Sequence, residues 1–363
     1  MLTKFDELTC HQTIATFDGP ATSDRAWAEK LWCNVHDTEG KLVLATGFGI
    51  YPNRNVIDGF GCVNVHNEVQ HNLRLSRELR PRIDEIALGP LSYQVLEPFR
   101  RIAIRMDEND RGLSYDIEFI GTFDPGEEEP QFGRSAGRVH VHTCRYAQLG
   151  RARGWVEVDG TRFDIDESSH FAQRDHSWGI RMGVGAPEQG VQETDVATYI
   201  GMMINWLTVQ FEDWGAYLYY IERHDGRVQR LSGSVVGRAG EAKEPIPITG
   251  VEHEYTYHDG APRMKSGHVV LTLADGSTRA LEMRELTTMY LRGGAYLGYK
   301  GAAHGLWLGP SWSDGESWRL SEPGVTDETH GLNDTVVEVS SDGKKGYGIV
   351  ENLILPPFPR YGF

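Results

Sequence analysis

The sequence predicts an all-β protein made of two antiparallel β-barrels or sandwiches packed directly on each other. Three features carry that reading: short alternating or apolar runs of strand length, turn residues between them at hairpin intervals, and helical periodicity that is weak throughout. At 363 residues the chain exceeds the roughly 250–300 that one core serves, so two units are expected. A boundary in the middle gives 1–180 and 181–363.

In the first half, residues 31–36 run into Asp37-Thr-Glu-Gly40 and then 41–51, and residues 102–106 run into a polar turn ending at Gly112 and then 113–122. Residues 138–146 and 153–158 continue the pattern, with Asp159-Gly160 as a tight turn. Residues 23–31 have the length for a turn or two of helix, capped by Ser23 or Asp24. In the second half, the apolar run 196–211 turns at Glu212-Asp-Trp-Gly215 into 216–223, which turns again at His224-Asp-Gly226. Tyr257-His-Asp-Gly260, Ala274-Asp-Gly276 and Ser341-Asp-Gly343 are further Asp-Gly turns. Residues 281–291 read equally as helix, from Met283, Leu286 and Tyr290, or as an antiparallel strand. Barrels close their own edges, and small ones hold one apolar ligand. A pocket is therefore expected inside a barrel or where the two meet.

Composition narrows the partners. With 36 basic against 52 acidic residues, the formal charge is −16, which disfavours a phosphate-binding surface and so a nucleic-acid partner. Cys10, Cys33, Cys62 and Cys144 are far apart, as free thiols in a reducing compartment would be. Asp6 and Glu7 stand where a signal peptide needs an apolar run, and no stretch approaches the ~18 apolar residues of a membrane span. A cytoplasmic protein is expected, with its oligomeric state left open.

The densest chemistry lies in Phe171-Ala-Gln-Arg-Asp-His-Ser-Trp-Gly-Ile-Arg181. If extended, Asp175, Ser177 and Gly179 point one way, and Arg174, His176, Trp178 and Ile180 the other. Gly179 allows a close backbone approach. The stretch is either a pocket wall or a buried knot in which Asp175 holds Arg174 or Arg181 and Trp178 fills a core.

Arg174-Asp-His-Ser-Trp-Gly-Ile-Arg181 resembles the Asp-His-x-Trp-Gly signature of the carotenoid hydratase and AttH-like superfamily. Gly49-Ile-Tyr-Pro-Asn53, Ser76-Arg-Glu-Leu79, Gly89-Pro-Leu91, Arg145-Tyr-Ala-Gln148, Phe211-Glu-Asp213 and Gly346-Tyr-Gly-Ile-Val-Glu351 are similar to its uncharacterised bacterial branch. The resemblance implies two tandem lipocalin-like β-domains and cofactor-independent acid–base chemistry on an apolar, isoprenoid-like molecule: hydration or its reverse, isomerisation or cyclisation. It also implies that His176 and Trp178 line the active site. The downstream Tyr-x-Asp of the carotenoid hydratases, whose aspartate donates the proton, has no counterpart here.

Protonating an alkene needs an acid held dry, and burial raises a carboxyl's pKa by several units. Asp175 is the first candidate, with Glu212 and Asp213 as alternatives; each has a structural reading, an arginine pair for Asp175 and a hairpin turn for the others. Trp178, Trp206, Tyr199 and Tyr219 are the rings expected around a carbocation, with Arg181 as a polar contact; cation–π attraction is worth about 0.5–2 kcal/mol per ring. His140-Val-His142 puts two imidazoles on one strand face, but without a carboxylate or cysteine at ligand spacing no metal is assigned. Gly183-Val-Gly185 with Gly190 lacks the helix pattern and Lys-Ser/Thr pair of a nucleotide loop and reads as a mobile connection between the halves. No Gly-x-Ser-x-Gly elbow is present. Two functions follow: a hydratase, lyase, isomerase or cyclase, and alternatively a non-catalytic carrier of a hydrophobic small molecule.

Overall fold

Asp-Gly pairs set the hairpins. Asp159 and Gly160 have φ of 49° and 78°, and Asp342 and Gly343 have 49° and 76°, the paired left-handed geometry that matches strand twist in two-residue hairpins. At the 37–40 turn, Asp37 does the same work with its side chain, accepting the backbone N–H groups of Glu39, Lys41 and Leu42 at 2.6, 3.2 and 2.7 Å.

The structure, a computed structural model, describes residues 1–186, 190–192, 200–241 and 243–363. It is nearly all β, as a curled half-barrel sheet beside a closed barrel. Across the first sheet the strands run Trp312–Arg319, Val69–Glu78, Val56–Val65, Leu42–Tyr51, Trp27–His36, Phe171–Ile180, Arg138–Val158, Leu113–Gly121, Arg101–Met106, Leu91–Glu97 and Ala87–Leu88. The barrel closes in chain order through Met202–Gln210, Trp214–Arg223, Val228–Gly237, Ile246–Tyr257, Met264–Leu273, Thr278–Tyr290, Asn333–Ser341 and Lys344–Leu355. The sheet thus takes the described strands up to Ile180 and one more, Trp312–Arg319, from the C-terminal half. That strand lies antiparallel on Val69–Glu78.

Each unit has its own core. Leu44, Ile57, Leu73, Ile117 and Phe119 fill the sheet, and Leu207, Val269, Leu271, Val337 and Val350 fill the barrel. A third cluster joins them, in which Trp32, Phe60 and Leu149 of the sheet meet Trp206, Tyr217 and Ile349 of the barrel. Burial at roughly 25 cal/mol per Å² of apolar surface makes this contact part of the stability of both units.

Two local expectations are corrected, and one open alternative, strand against helix at 281–291, is decided for the strand. Residues 23–31 form no helix: Asp24 accepts the Ala26 N–H at 2.8 Å in a turn, and the strand starts at Trp27. Residues 138–146 and 153–158 belong to one 21-residue strand, Arg138–Val158, which runs unbroken through Gly154 at φ 130°. Residues 281–291 are strand up to Tyr290, followed by a single 3-10 turn, Leu291–Gly294. Among the described residues the cysteines are free thiols, and no helix is long and apolar enough to cross a membrane.

Candidate active site

The strand Phe171–Ile180 sits mid-sheet between Trp27–His36 and Arg138–Val158. Gly179 has φ 126°, and a Cβ there would lie 2.1 Å from the His142 carbonyl oxygen, so the close approach the sequence suggested is real. Alternation then divides the motif. Asp175 faces the barrel, while Arg174 and His176 face the concave interior of the sheet.

Between sheet and barrel lies a cavity of about 560 Å³. Four rings line it, Trp32, Trp206, Tyr219 and Tyr296, and Trp32 meets Trp206 edge-on at 5.6 Å. Arg145 reaches across to Asp175 at 3.2 Å and Glu128 at 3.5 Å, and its guanidinium lies 5.3 Å from the Tyr219 ring. Glu128 also accepts the Trp206 indole N–H at 2.9 Å. Asp175 is therefore fixed by an arginine, but by Arg145 rather than Arg174 or Arg181. Burial pushes its pKa up, against the pull of Arg145 and Arg181. Arg181 lines the same cavity and donates to the Ser177 hydroxyl at 3.0 Å.

The acid best placed for chemistry comes from the far end of the chain. Glu351 lines the cavity, and its cross-strand neighbours are Trp206 on one side and Asp334 on the other. Asp334 is wholly buried, with Asn34 donating to one oxygen at 3.4 Å and the other, Oδ1, without a donor among the described residues. Asp334 and Glu351 are direct cross-strand neighbours, and two carboxyls that close, with Asp334 wholly buried, do not both ionise, so one carries a proton. Burial first, and then the Glu351 charge, raise Asp334 well above the carboxylate range. Burial raises Glu351 to about 7, with Arg145 opposing and Asp175 adding to the rise. The two titrate as a pair.

Opposite stands an amine. Lys30 contacts His304 Nδ1, and His304 donates from Nε2 to the Gly294 carbonyl at 2.8 Å, so the imidazole is neutral with its lone pair toward Lys30. Burial and the Lys30 charge hold His304 below its ordinary pKa; burial and Arg181 lower Lys30.

The remaining expected residues are dispersed. His176 and Trp178 look away from this cavity: His176 Nε2 meets Glu29 at 2.8 Å and Nδ1 meets the Tyr146 hydroxyl at 3.2 Å, while Trp178 is 38% exposed and touches His176 edge-on at 5.5 Å. Glu212 and Asp213 sit in the exposed 211–214 turn, where Lys344 holds Asp213 at 2.6 Å and Arg238 takes the Glu212 carbonyl, so neither reaches the cavity. Tyr199 lies outside the described residues. Gly183 and Gly185 line the cavity wall. Among the described residues no group of three or more His, Cys, Asp or Glu side chains is arranged to hold a metal ion. Glu351, Asp334, Arg145, Lys30 and Tyr296 were not singled out as site residues. The available signal was a charged residue inside an apolar strand run, as in Gly346-Tyr-Gly-Ile-Val-Glu351.

One family model covers residues 2–363. The chain belongs to DUF8625, a family of unknown function. No curated protein matches the DUF8625 chain significantly. Solved structures that share its fold include an AttH-like protein of Nitrosomonas europaea (TM-score 0.56, 11% identity, covering 91% of this chain and 93% of that one) and kievitone hydratase of Nectria haematococca (0.53, 12%, 90% and 88%). CghA with Sch210972 is similar at 0.50 and 10%, covering 91% and 89%. At these identities the likeness establishes the all-β, lipocalin-like fold.

Proposed function

We propose that the protein is an acid–base enzyme that adds water to, removes it from, or isomerises or cyclises an apolar, isoprenoid-like alkene in the cavity between sheet and barrel. The observation carrying this is the Asp334–Glu351 pair beside four aromatic rings. A protonated Glu351 delivers its proton to an alkene carbon, and the faces of Trp32, Trp206, Tyr219 and Tyr296 stabilise the cation, each by roughly 0.5–2 kcal/mol. Water adds to the cation and its proton returns to the Glu351 carboxylate, so alkene and water balance against alcohol with no co-reactant. Loss of the proton from a neighbouring carbon gives isomerisation by the same residues. That a hydratase, kievitone hydratase, has this fold supports the reading.

The test is incorporation of ¹⁸O from H₂¹⁸O into a panel of terpenoid alkenes and alcohols. Glu351→Gln keeps the shape but has no acidic proton, and turnover falls about 10²–10⁴-fold. Equal turnover by this variant would remove Glu351 from the reaction. The alternative, a carrier for a hydrophobic molecule, draws on the mainly apolar chamber inside the N-terminal sheet.

A further inference from the structure

That chamber has a volume of about 560 Å³, within the usual range for small-molecule sites of roughly 300–1,000 Å³. Trp27, Leu31, Ile50, Ile86 and Ile102 are among its apolar walls. The N-terminal segment lies across it through Phe5 and Phe17, anchored where Lys4 donates to the Asp84 carbonyl at 2.7 Å and Asp18 meets Arg80 at 2.9 Å.

One wall is different. Arg174 lines the chamber at 3% exposure, yet its hydrogen bonds go to neutral groups: Nε and Nη2 to Gln148 Oε1 at 3.0 and 2.7 Å, and Nη1 to the Tyr146 hydroxyl at 3.2 Å. Tyr93 also contacts it, and its guanidinium lies 5.4 Å from the Phe119 ring. No carboxylate among the described residues lies within ion-pair distance of it. Arg74 and Arg145 contrast, meeting Asp314 and Glu316 at 2.9 Å each, and Asp175 and Glu128; Arg77, also buried, gives its hydrogen bonds to four backbone carbonyls, away from the lining of this chamber. Two acids also line the chamber, and both have cations of their own: Glu29 is held by His176, and Asp84 lies 3.8 Å from the Lys4 amine. A buried cation without an anion is costly, and an anion entering beside it is correspondingly favoured. Cross-strand pairing puts Arg174 opposite Gln148 and His176 opposite Tyr146, so these four groups form one polar patch in a mainly apolar space.

We propose that this chamber is a second ligand site, separate from the cavity proposed for catalysis, and that it takes an apolar molecule bearing a single carboxylate. The carboxylate lies against Arg174 with the Tyr146 and Tyr93 hydroxyls beside it, and the apolar body fills the space under Phe5 and Phe17. Straight-chain and isoprenoid acids share that chemistry.

The test is equilibrium binding to the full chain, read by displacement of a fluorescent polyene fatty acid, of dodecanoate against dodecanol and of farnesoate against farnesol. Each acid is expected to bind about tenfold or more tightly than its alcohol. A dodecanoate advantage over farnesoate, or the reverse, distinguishes the two sources. Arg174→Gln is expected to abolish the preference, and Arg174→Lys to retain part of it. Val95→Trp, at a half-exposed lining position where misfolding is not at issue, is expected to weaken both acid and alcohol at least several-fold. Acid and alcohol binding equally, a preference surviving Arg174→Gln, or binding unchanged by Val95→Trp would each overturn the proposal. Glu351→Gln leaves this binding unaltered, which separates its failure from that of the catalytic reading.

Discussion

Glu351 ties activity and stability to the same proton. Its protonated form is the proposed acid, so turnover falls as pH rises through about 7. The stability sign agrees: a folded pKa raised above the unfolded value of 4.5 favours folding fully below that value, and the benefit is lost as pH rises through the folded one. Thermal melts between pH 5 and 8 should therefore show Tm declining toward high pH, and Glu351→Gln should flatten that decline. Asp175→Asn separates two roles. Its carboxylate is engaged by Arg145, so its loss should cost less rate than Glu351→Gln; because its negative charge helps raise Glu351, the falling limb should move to lower pH. A rate loss equal to that of Glu351→Gln, with no shift of the limb, would make Asp175 the acid.

At the scale of one strand, Phe171–Ile180 owes its two-faced role to strict alternation and to Gly179. Gly179→Ala places a methyl against the His142 carbonyl in a backbone region that L residues avoid, and a loss of about 1–3 kcal/mol is expected by urea denaturation. No change in midpoint would mean the neighbouring strand yields freely. The alternation was legible, since Asp175 and His176 do point apart, and so were the hairpins around Asp37, Asp159 and Asp342, because turn chemistry is local. What each face meets was not legible. The cavity takes Lys30 and Trp32 from one end of the chain, Arg145 and Asp175 from the middle and Glu351 from the other end, and neither propensity nor periodicity brings such distant segments together. Resemblance led to His176 and Trp178, and geometry places them on the face away from the Glu351 cavity. Glu351, a charged residue inside an apolar strand run, is the local signal that leads to this cavity.

For the molecule as a whole, the shared cluster around Trp32 and Trp206 and the strand Trp312–Arg319 make the two units interdependent. Residues 1–180 expressed alone leave the outer edge of Val69–Glu78 unpaired and expose Trp32 and Phe60, so this fragment should aggregate or lack a cooperative melt. A monomeric fragment melting sharply near the full-length Tm would show that the sheet needs neither. Within the intact chain, Arg74→Ala removes the hydrogen bonds to Asp314, Glu316 and the Gly293 carbonyl, while Glu316 keeps Lys300, and should cost about 1–3 kcal/mol, measurable by calorimetry.

The returning strand also sets a timetable. Asn72 and Glu316, which it brings together, are 244 positions apart. At about 5–20 residues per second, a ribosome takes roughly 12–50 s to make the intervening polypeptide. For that interval the outer edge of Val69–Glu78, the one not paired with Val56–Val65, has no mate, and the nascent chain must be shielded from its neighbours until its own later segment emerges.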